Sequence, residues 1–299
     1  MGLLLPFYLL LLALHCILFK VIKMKIYFLF FYFLVLLACK EKKQKIKAQD
    51  YVTTIVSEQY NFNKPDATWK LPSSLNEVSG IFLLNDSIML CQEDERGRIY
   101  LFNLKKSVVE RIILFGNADD YEDISFFNNV VYLINSKGTI LSVTNYLQEP
   151  LLLKYNTALS QKNDVEGLSY DSVSQSFLIV CKEQQGIGIV DKNEKVIYQF
   201  QKNTGQIAEK PFLSYKEYNF KPSAIAVHPI SKSIFVLSAS KAKLLELARD
   251  GSTKYVYELK KSIFSQPEGL AFDKSGNLYI SNEANGAAAD ILFFKCVKD

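Results

Sequence analysis

The chain has 299 residues, 35 Lys and Arg against 31 Asp and Glu for a formal net charge of +4, two histidines and five cysteines. A single histidine outside the first 39 residues excludes a multi-histidine zinc centre, and the odd cysteine count argues against a complete disulfide framework. The positive balance comes from Lys20, Lys23 and Lys25 in those first 39 residues, which hold no acid; 32 basic residues then face 31 acidic ones, a near-neutral remainder without nucleic-acid character.

Residues 1–39 read as a leader rather than as part of a fold. Residues 1–23 form one apolar run, and Met24-Lys25 opens a second that ends in Leu36-Leu37-Ala38-Cys39. This second run resembles a bacterial lipoprotein signal with its lipobox, which makes Cys39 the acylated first residue of the mature chain; a membrane-spanning helix is the competing reading. The sequence predicts a solvated tether over 40–65, whose lysine-rich start also suits anionic lipid head groups. The remaining stretch, 66–299, is long enough for one large all-β domain and too short for two.

One phrase recurs five times from there on: EVSGIFLL at 77, DYEDISFF at 120, DVEGLSYD at 164, KPSAIAVH at 221 and QPEGLAFD at 266. The intervals are 43, 44, 57 and 45 residues, and a period in the forties built only of strand signals belongs to a propeller blade. Each phrase continues into apolar, β-branched or aromatic runs broken by Gly, Asn, Asp, Ser and Lys. The first copy gives SIMLCQE, RIYLFNL and SVVERIIL; the third gives FLIVCKE, GIGIVDK and KVIYQFQ, followed by NTGQIAEKPFLSYKEYNF, which reads as an insertion after that blade's outer strand. The fifth copy stops one strand short, and the orphan DATWKLP at 66–72 is placed to supply it and so close the ring without open edges. The expected fold is an all-β five-bladed β-propeller closed by an N-terminal strand, with six blades as the alternative.

Cys91 and Cys181 occupy matching places in non-adjacent repeats, too far apart to bridge, and read as buried thiols. His228, before Pro229, reads as a strand-end residue. Glu93, Glu183 and Glu283 end second strands, with Arg96, Lys137 and Lys241 just after such strands; they are candidates for the rim of a ligand pocket, against the plainer reading of solvated turn residues. The run Glu93-Asp94-Glu95 lacks EF-hand spacing and is not read as a calcium loop.

The third position of the recurring phrase is Ser79, Glu122, Glu166, Ser223 and Glu268. Inner strands of a propeller converge on its axis, so three carboxylates are expected to meet there, and the aligned inner strands supply no Lys or Arg to pair with them. Like charges that close raise each other's pKa, and an oxygen-preferring cation relieves the conflict; calcium, bound at about 2.3–2.6 Å, suits such a set better than zinc. Proton sharing, hydration, magnesium and sodium are the competing readings.

Taken together, LPSSLNEVSGI, DYEDIS, DVEGLSYD, KPSAIAVHPIS and QPEGLAFDKSGNLYISNE resemble the SdiA-regulated, YjiK-like family of bacterial envelope proteins, over roughly residues 66–295. That resemblance implies a single β-propeller, an envelope address and divalent-cation sites, and no settled reaction. The Ser-Glu-Glu-Ser-Glu ring is also similar to the central calcium site of the calcium-activated apyrases, which implies Ser79, Glu122, Glu166, Ser223 and Glu268 as ligands, one per blade; no wider set of apyrase residues matches. The functional expectation is an envelope lipoprotein with a calcium-binding propeller that serves as a binding or scaffolding module for a small molecule, peptide or envelope protein. A calcium-dependent hydrolase of a phosphoester or lactone is the alternative. If Cys39 is the lipid site, cells fed a radioactive fatty acid will label the protein and Cys39→Ser will abolish the label; a labelled Cys39→Ser chain contradicts the assignment.

Overall fold

In the computed structural model the described residues are 60–187, 194–208, 210–217 and 219–297. Cys39, the leader and residues 40–59 of the expected tether lie outside them. Among the described residues no helix is long and apolar enough to cross a membrane.

The chain enters through strand β1 (Ala67–Lys70) and a single 3-10 turn (Ser73–Leu75), then builds antiparallel sheets in sequence. Blade one holds β2 (Val78–Asn85), β3 (Ile88–Glu93), β4 (Arg98–Asn103) and β5 (Val108–Leu114); blade two holds β6 (Tyr121–Phe127), β7 (Val130–Asn135), β8 (Ile140–Thr144) and β9 (Leu151–Tyr155). Blade three runs β10 (Val165–Asp171), β11 (Ser176–Cys181) and β12 (Glu194–Gln201), with β13 (Gln206–Ile207) and β14 (Leu213–Lys216) both paired to β12. Blade four is β15 (Ala224–Val227), β16 (Ile234–Ser238), β17 (Lys243–Leu247) and β18 (Thr253–Glu258). Blade five is β19 (Pro267–Phe272), β20 (Leu278–Asn282) and β21 (Asp290–Phe294), and its fourth strand is β1. The fold is a five-bladed β-propeller, and the six-bladed count is set aside.

Ring closure rests on the DATWKLP strand. Ala67 to Lys70 pair antiparallel with Phe293 to Asp290, Trp69 Nε1 donates to the Leu104 carbonyl at 2.7 Å, and Lys70 pairs with Asp290 at 2.8 Å. Tyr60 and Phe62, in the stretch expected to be tether, are instead buried in the seam between blades four and five, where the Tyr60 hydroxyl donates to Gly276 O at 2.7 Å.

Five hydrophobic clusters fill the five seams between neighbouring blades. Second strands such as β11, SFLIVC, are buried at every residue because both of their faces meet another blade, so they lack the alternation of a half-exposed strand. Outer strands such as β9 are mostly exposed.

Blade three departs from the sequence reading. KVIYQFQ pairs directly with β11, so it is the third strand, and the outer position is taken by β13 and β14 from the stretch that reads as an insertion. GIGIVDK has strand-like residues, but most of it lies outside the described residues. Local β propensity says that a segment can be a strand; which partner it meets decides its place in the sheet.

Candidate metal centre at the propeller axis

Four of the five inner strands begin with the same irregularity, and the blade-four strand pairs in continuous register. In blade one Val78 faces Glu93 and Gly80 faces Gln92, so Ser79 has no opposite residue. The register skips Glu122 between Tyr121 and Asp123, Glu166 between Val165 and Gly167, and Glu268 between Pro267 and Gly269 in the same way. A β-bulge inserts one unpaired residue and re-aims its side chain. Ser223, just ahead of β15, is the blade-four counterpart, its N–H bonded to Leu237 O at 2.8 Å.

Glycine follows the bulge where the next blade crowds in. A Cβ at Gly80 would lie 2.7 Å from Ile124 N, and one at Gly167 would lie 3.0 Å from Ile225 N. Blade two carries Asp123 there; its buried carboxylate accepts the N–H groups of Ile124 at 2.8 Å and Leu168 at 2.7 Å, which ties blades two and three. The two ring serines make similar ties. Ser79 Oγ donates to Tyr121 O at 2.9 Å and lies 3.0 Å from Gln92 Oε1, while Ser223 Oγ donates to Pro267 O at 3.0 Å and accepts Ala239 N–H at 3.2 Å.

All five ring residues line one funnel-shaped cavity of about 350 Å³. Two residues before the ring stand Glu77, Asp120 and Asp164, and one residue past the second strands stand Asp94, Lys182 and Glu283. Backbone bonds fix these as facing partners: Asp94 N to Glu77 O at 3.2 Å, Lys182 N to Asp164 O at 2.7 Å and Glu283 N to Gln266 O at 2.9 Å. Among the described residues the lining thus holds eight carboxylates and one ammonium, and Lys182 Nζ lies 2.7 Å from Glu166 Oε1. Glu77, Asp94 and Glu283 bring one carboxylate oxygen each within 4.8 Å of the others, Asp94 Oδ1 is buried without a hydrogen-bond partner, and Gln266 Nε2 donates to Glu283.

A family model described as SdiA-regulated matches residues 55–288. The chain belongs to the SdiA-regulated family. A comparison with curated proteins gives no match. Among solved structures, the SdiA-regulated propeller is similar to a Myxococcus xanthus glutaminyl cyclase at 8% identity and TM-score 0.57, over 79% of this chain and 97% of that one. It is also similar to the PQQ-bound aldose sugar dehydrogenase of Streptomyces coelicolor, at 12% identity and TM-score 0.50 over 78% and 98%. A Bacteroides thetaiotaomicron protein of unknown function aligns at 12% identity and TM-score 0.50 over 76% of this chain and 56% of that one. At such identities these likenesses concern the fold alone.

The funnel of the SdiA-regulated propeller strains its carboxylates electrostatically. Burial, with the charges of Glu283 and Glu166 added, pushes Glu268 up to about 8. Glu283 also stands at about 8, through burial and then Glu77, Asp94 and Glu166. Burial and Glu77 lift Asp94 to about 6. Glu122, buried beside Glu166, lies well above the carboxylate range. Burial raises Glu166 too, although Lys182 opposes it; burial likewise works against the Lys182 ammonium, and Glu166 more than offsets that.

Of the three rim candidates only Glu283 lines the funnel. Glu93 is buried, 3.6 Å from Arg96 Nε, with Oε2 accepting Glu95 N–H at 3.2 Å; Glu183 pairs with Lys221, and Lys137 with Asp119 at 2.9 Å. The reason is register. Glu93 faces Val78, whereas in blade five Asn282 faces Pro267 and in blade three Cys181 faces Val165, so Glu283 and Glu183 sit one and two places beyond the position of Glu93. Asp94 is the true counterpart of Glu283 and Lys182. Glu77, Asp120 and Asp164 were accessible as a second acidic column two residues ahead of the ring, and Asp94 and Lys182 only through this cross-strand register.

A carboxyl with a raised folded pKa adds stability that is complete below the unfolded value and is lost as pH rises through the folded one. With chelator present, the melting temperature of Glu268→Gln minus that of the wild-type chain is therefore expected to increase from about pH 5 to about pH 9. A difference that stays constant across that range contradicts the charge crowding described for Glu268.

Proposed function

We propose that this SdiA-regulated propeller is a divalent-cation-binding module of the bacterial envelope, lipid-anchored through Cys39, whose disc offers a binding or scaffolding surface. The observation that carries this reading is the eight-to-one excess of carboxylate over ammonium in a 350 Å³ funnel. Oxygen-only donors favour calcium, which accepts six to eight ligands in flexible geometry, over zinc, which takes nitrogen and sulfur. Within the ring, Glu122 and Glu268 are the donors of choice, since Lys182 already engages Glu166 and a neutral serine hydroxyl offers a cation no charge. Glu77, Asp94 and Glu283 extend the donor set toward the mouth, and the orphaned Asp94 Oδ1 fits a cation. A bound cation supplies counter-charge to carboxylates from blades one, two and five at once, which holds those blades together; the address and the anchor rest on the leader sequence.

A ligand that binds only the folded state at about a hundred times its Kd stabilises by about 2.7 kcal/mol, about 5–10 °C for a domain of this size. Calcium added to the chelated full chain is expected to raise the melting temperature by that order, and the pair Glu268→Gln with Glu283→Gln to remove the response. Elemental analysis without metal, together with identical melting in calcium and in chelator, overturns the proposal.

A further inference from the structure

Beyond the bulges the same inner strands build a second, chemically opposite cavity. Two to five residues past the ring positions, Ile81, Ile124, Leu168, Ile225 and Leu270 start the walls of a space of about 260 Å³, and Phe82, Phe126 and Phe272 continue them. Since side chains advance along each strand, this cavity opens at the other end of the axis from the acidic funnel. Among the described residues its lining holds no acid and one lysine, Lys232.

The polar groups on this wall are donors. Ser125 Oγ accepts Tyr170 N–H at 3.2 Å and Ser169 Oγ accepts Val227 N–H at 3.3 Å, so each hydroxyl keeps its own proton to give. Lys232, in the turn after β15, donates to Pro229 O at 2.6 Å and reaches Ser172 Oγ at 3.5 Å, which leaves a third ammonium proton. The nearby acids are committed elsewhere: Asp171 is fully buried against Arg249 at 2.7 Å, and Asp273 accepts the N–H groups of its own turn from Ser275 and Asn277 at 2.9 Å. His228 Nδ1 accepts the N–H of Ser231 at 3.1 Å and lies 3.0 Å from Ser231 Oγ, so it is engaged by its own turn.

We propose that this cavity is a binding site for a small carboxylate with an apolar body, such as an arylalkanoate. Its hydrocarbon part lies among the isoleucine, leucine and phenylalanine side chains, and its carboxylate takes hydrogen bonds from Lys232 and the serine hydroxyls. Apolar walls with a few convergent donors are the usual make-up of a small-molecule site, and a lining with no acid among the described residues selects an anionic head over a cationic one. The site is independent of the cation funnel, with which it shares strands but no lining residue.

The test is calorimetric titration of the full chain with 3-phenylpropionate, 3-phenylpropan-1-ol and 3-phenylpropylamine, which differ only at the head. The carboxylate is expected to bind one site with Kd below about 1 mM, with the alcohol about tenfold weaker and the amine weaker still. Lys232→Gln should bring the carboxylate down to the level of the alcohol, Lys232→Arg should keep it tight, and all three proteins should melt alike. Ala226→Phe, which fills the cavity, should abolish binding of every probe. The proposal falls if 3-phenylpropionate gives no saturable heat, if the alcohol or amine matches it, or if Lys232→Gln leaves its affinity unchanged.

Discussion

Five β-strands start within one narrow channel, and four of them spend a bulged residue on it. This crowding governs the axis of the molecule. The bulge turns Ser79, Glu122, Glu166 and Glu268 out of the ladder, and the glycines and Asp123 behind them let the neighbouring blades approach closely. A carboxylate placed there cannot retreat, since its backbone is fixed by pairing on one side and by the next blade on the other. The cost appears in acids lifted well above their usual range by burial and by each other.

Three devices share the task of holding the axis together. Serine hydroxyls tie blade one to two and four to five, the Asp123 carboxylate ties two to three, and the closing strand β1 ties the last blade to the N-terminal side of the chain. Lys182 meets only part of the negative charge. A single ammonium beside Glu166 leaves the Glu77, Asp94 and Glu283 side of the funnel with carboxylates alone. The opposite end of the same channel has no acid among its described lining residues, so the two mouths on one axis are chemically distinct.

Blade count, ring closure and the ring residues were legible because they repeat: a phrase that recurs at blade spacing carries its own register, and DATWKLP had nowhere else to pair. What repetition does not encode was lost. GIGIVDK looks like a strand as well as KVIYQFQ does, and only the pairing of KVIYQFQ with β11 reveals that the outer position belongs to the stretch that reads as an insertion. Aligning Glu93, Glu183 and Glu283 by their strand endings mixed three register positions, because all three partner strands carry the same bulge while the turns that join first to second strands, Asn85 to Ile88, Asp171 to Ser176 and Phe272 to Leu278, differ in length. Lys182 escaped notice for the same reason: it comes from a second strand, one residue past its end, where its side chain joins the funnel instead of a seam.

If the excess of carboxylate at the axis is there to hold a metal ion, anomalous diffraction from crystals of the full chain soaked in manganese will reveal it, since manganese accepts the same oxygen donors as calcium and is visible by its own scattering. One strong peak is expected inside the funnel, within about 2.5 Å of carboxylate oxygens from Glu122, Glu268, Glu283 or Asp94. A funnel without a peak, with Lys182 and ordered water as its only occupants, would contradict a metal-holding axis.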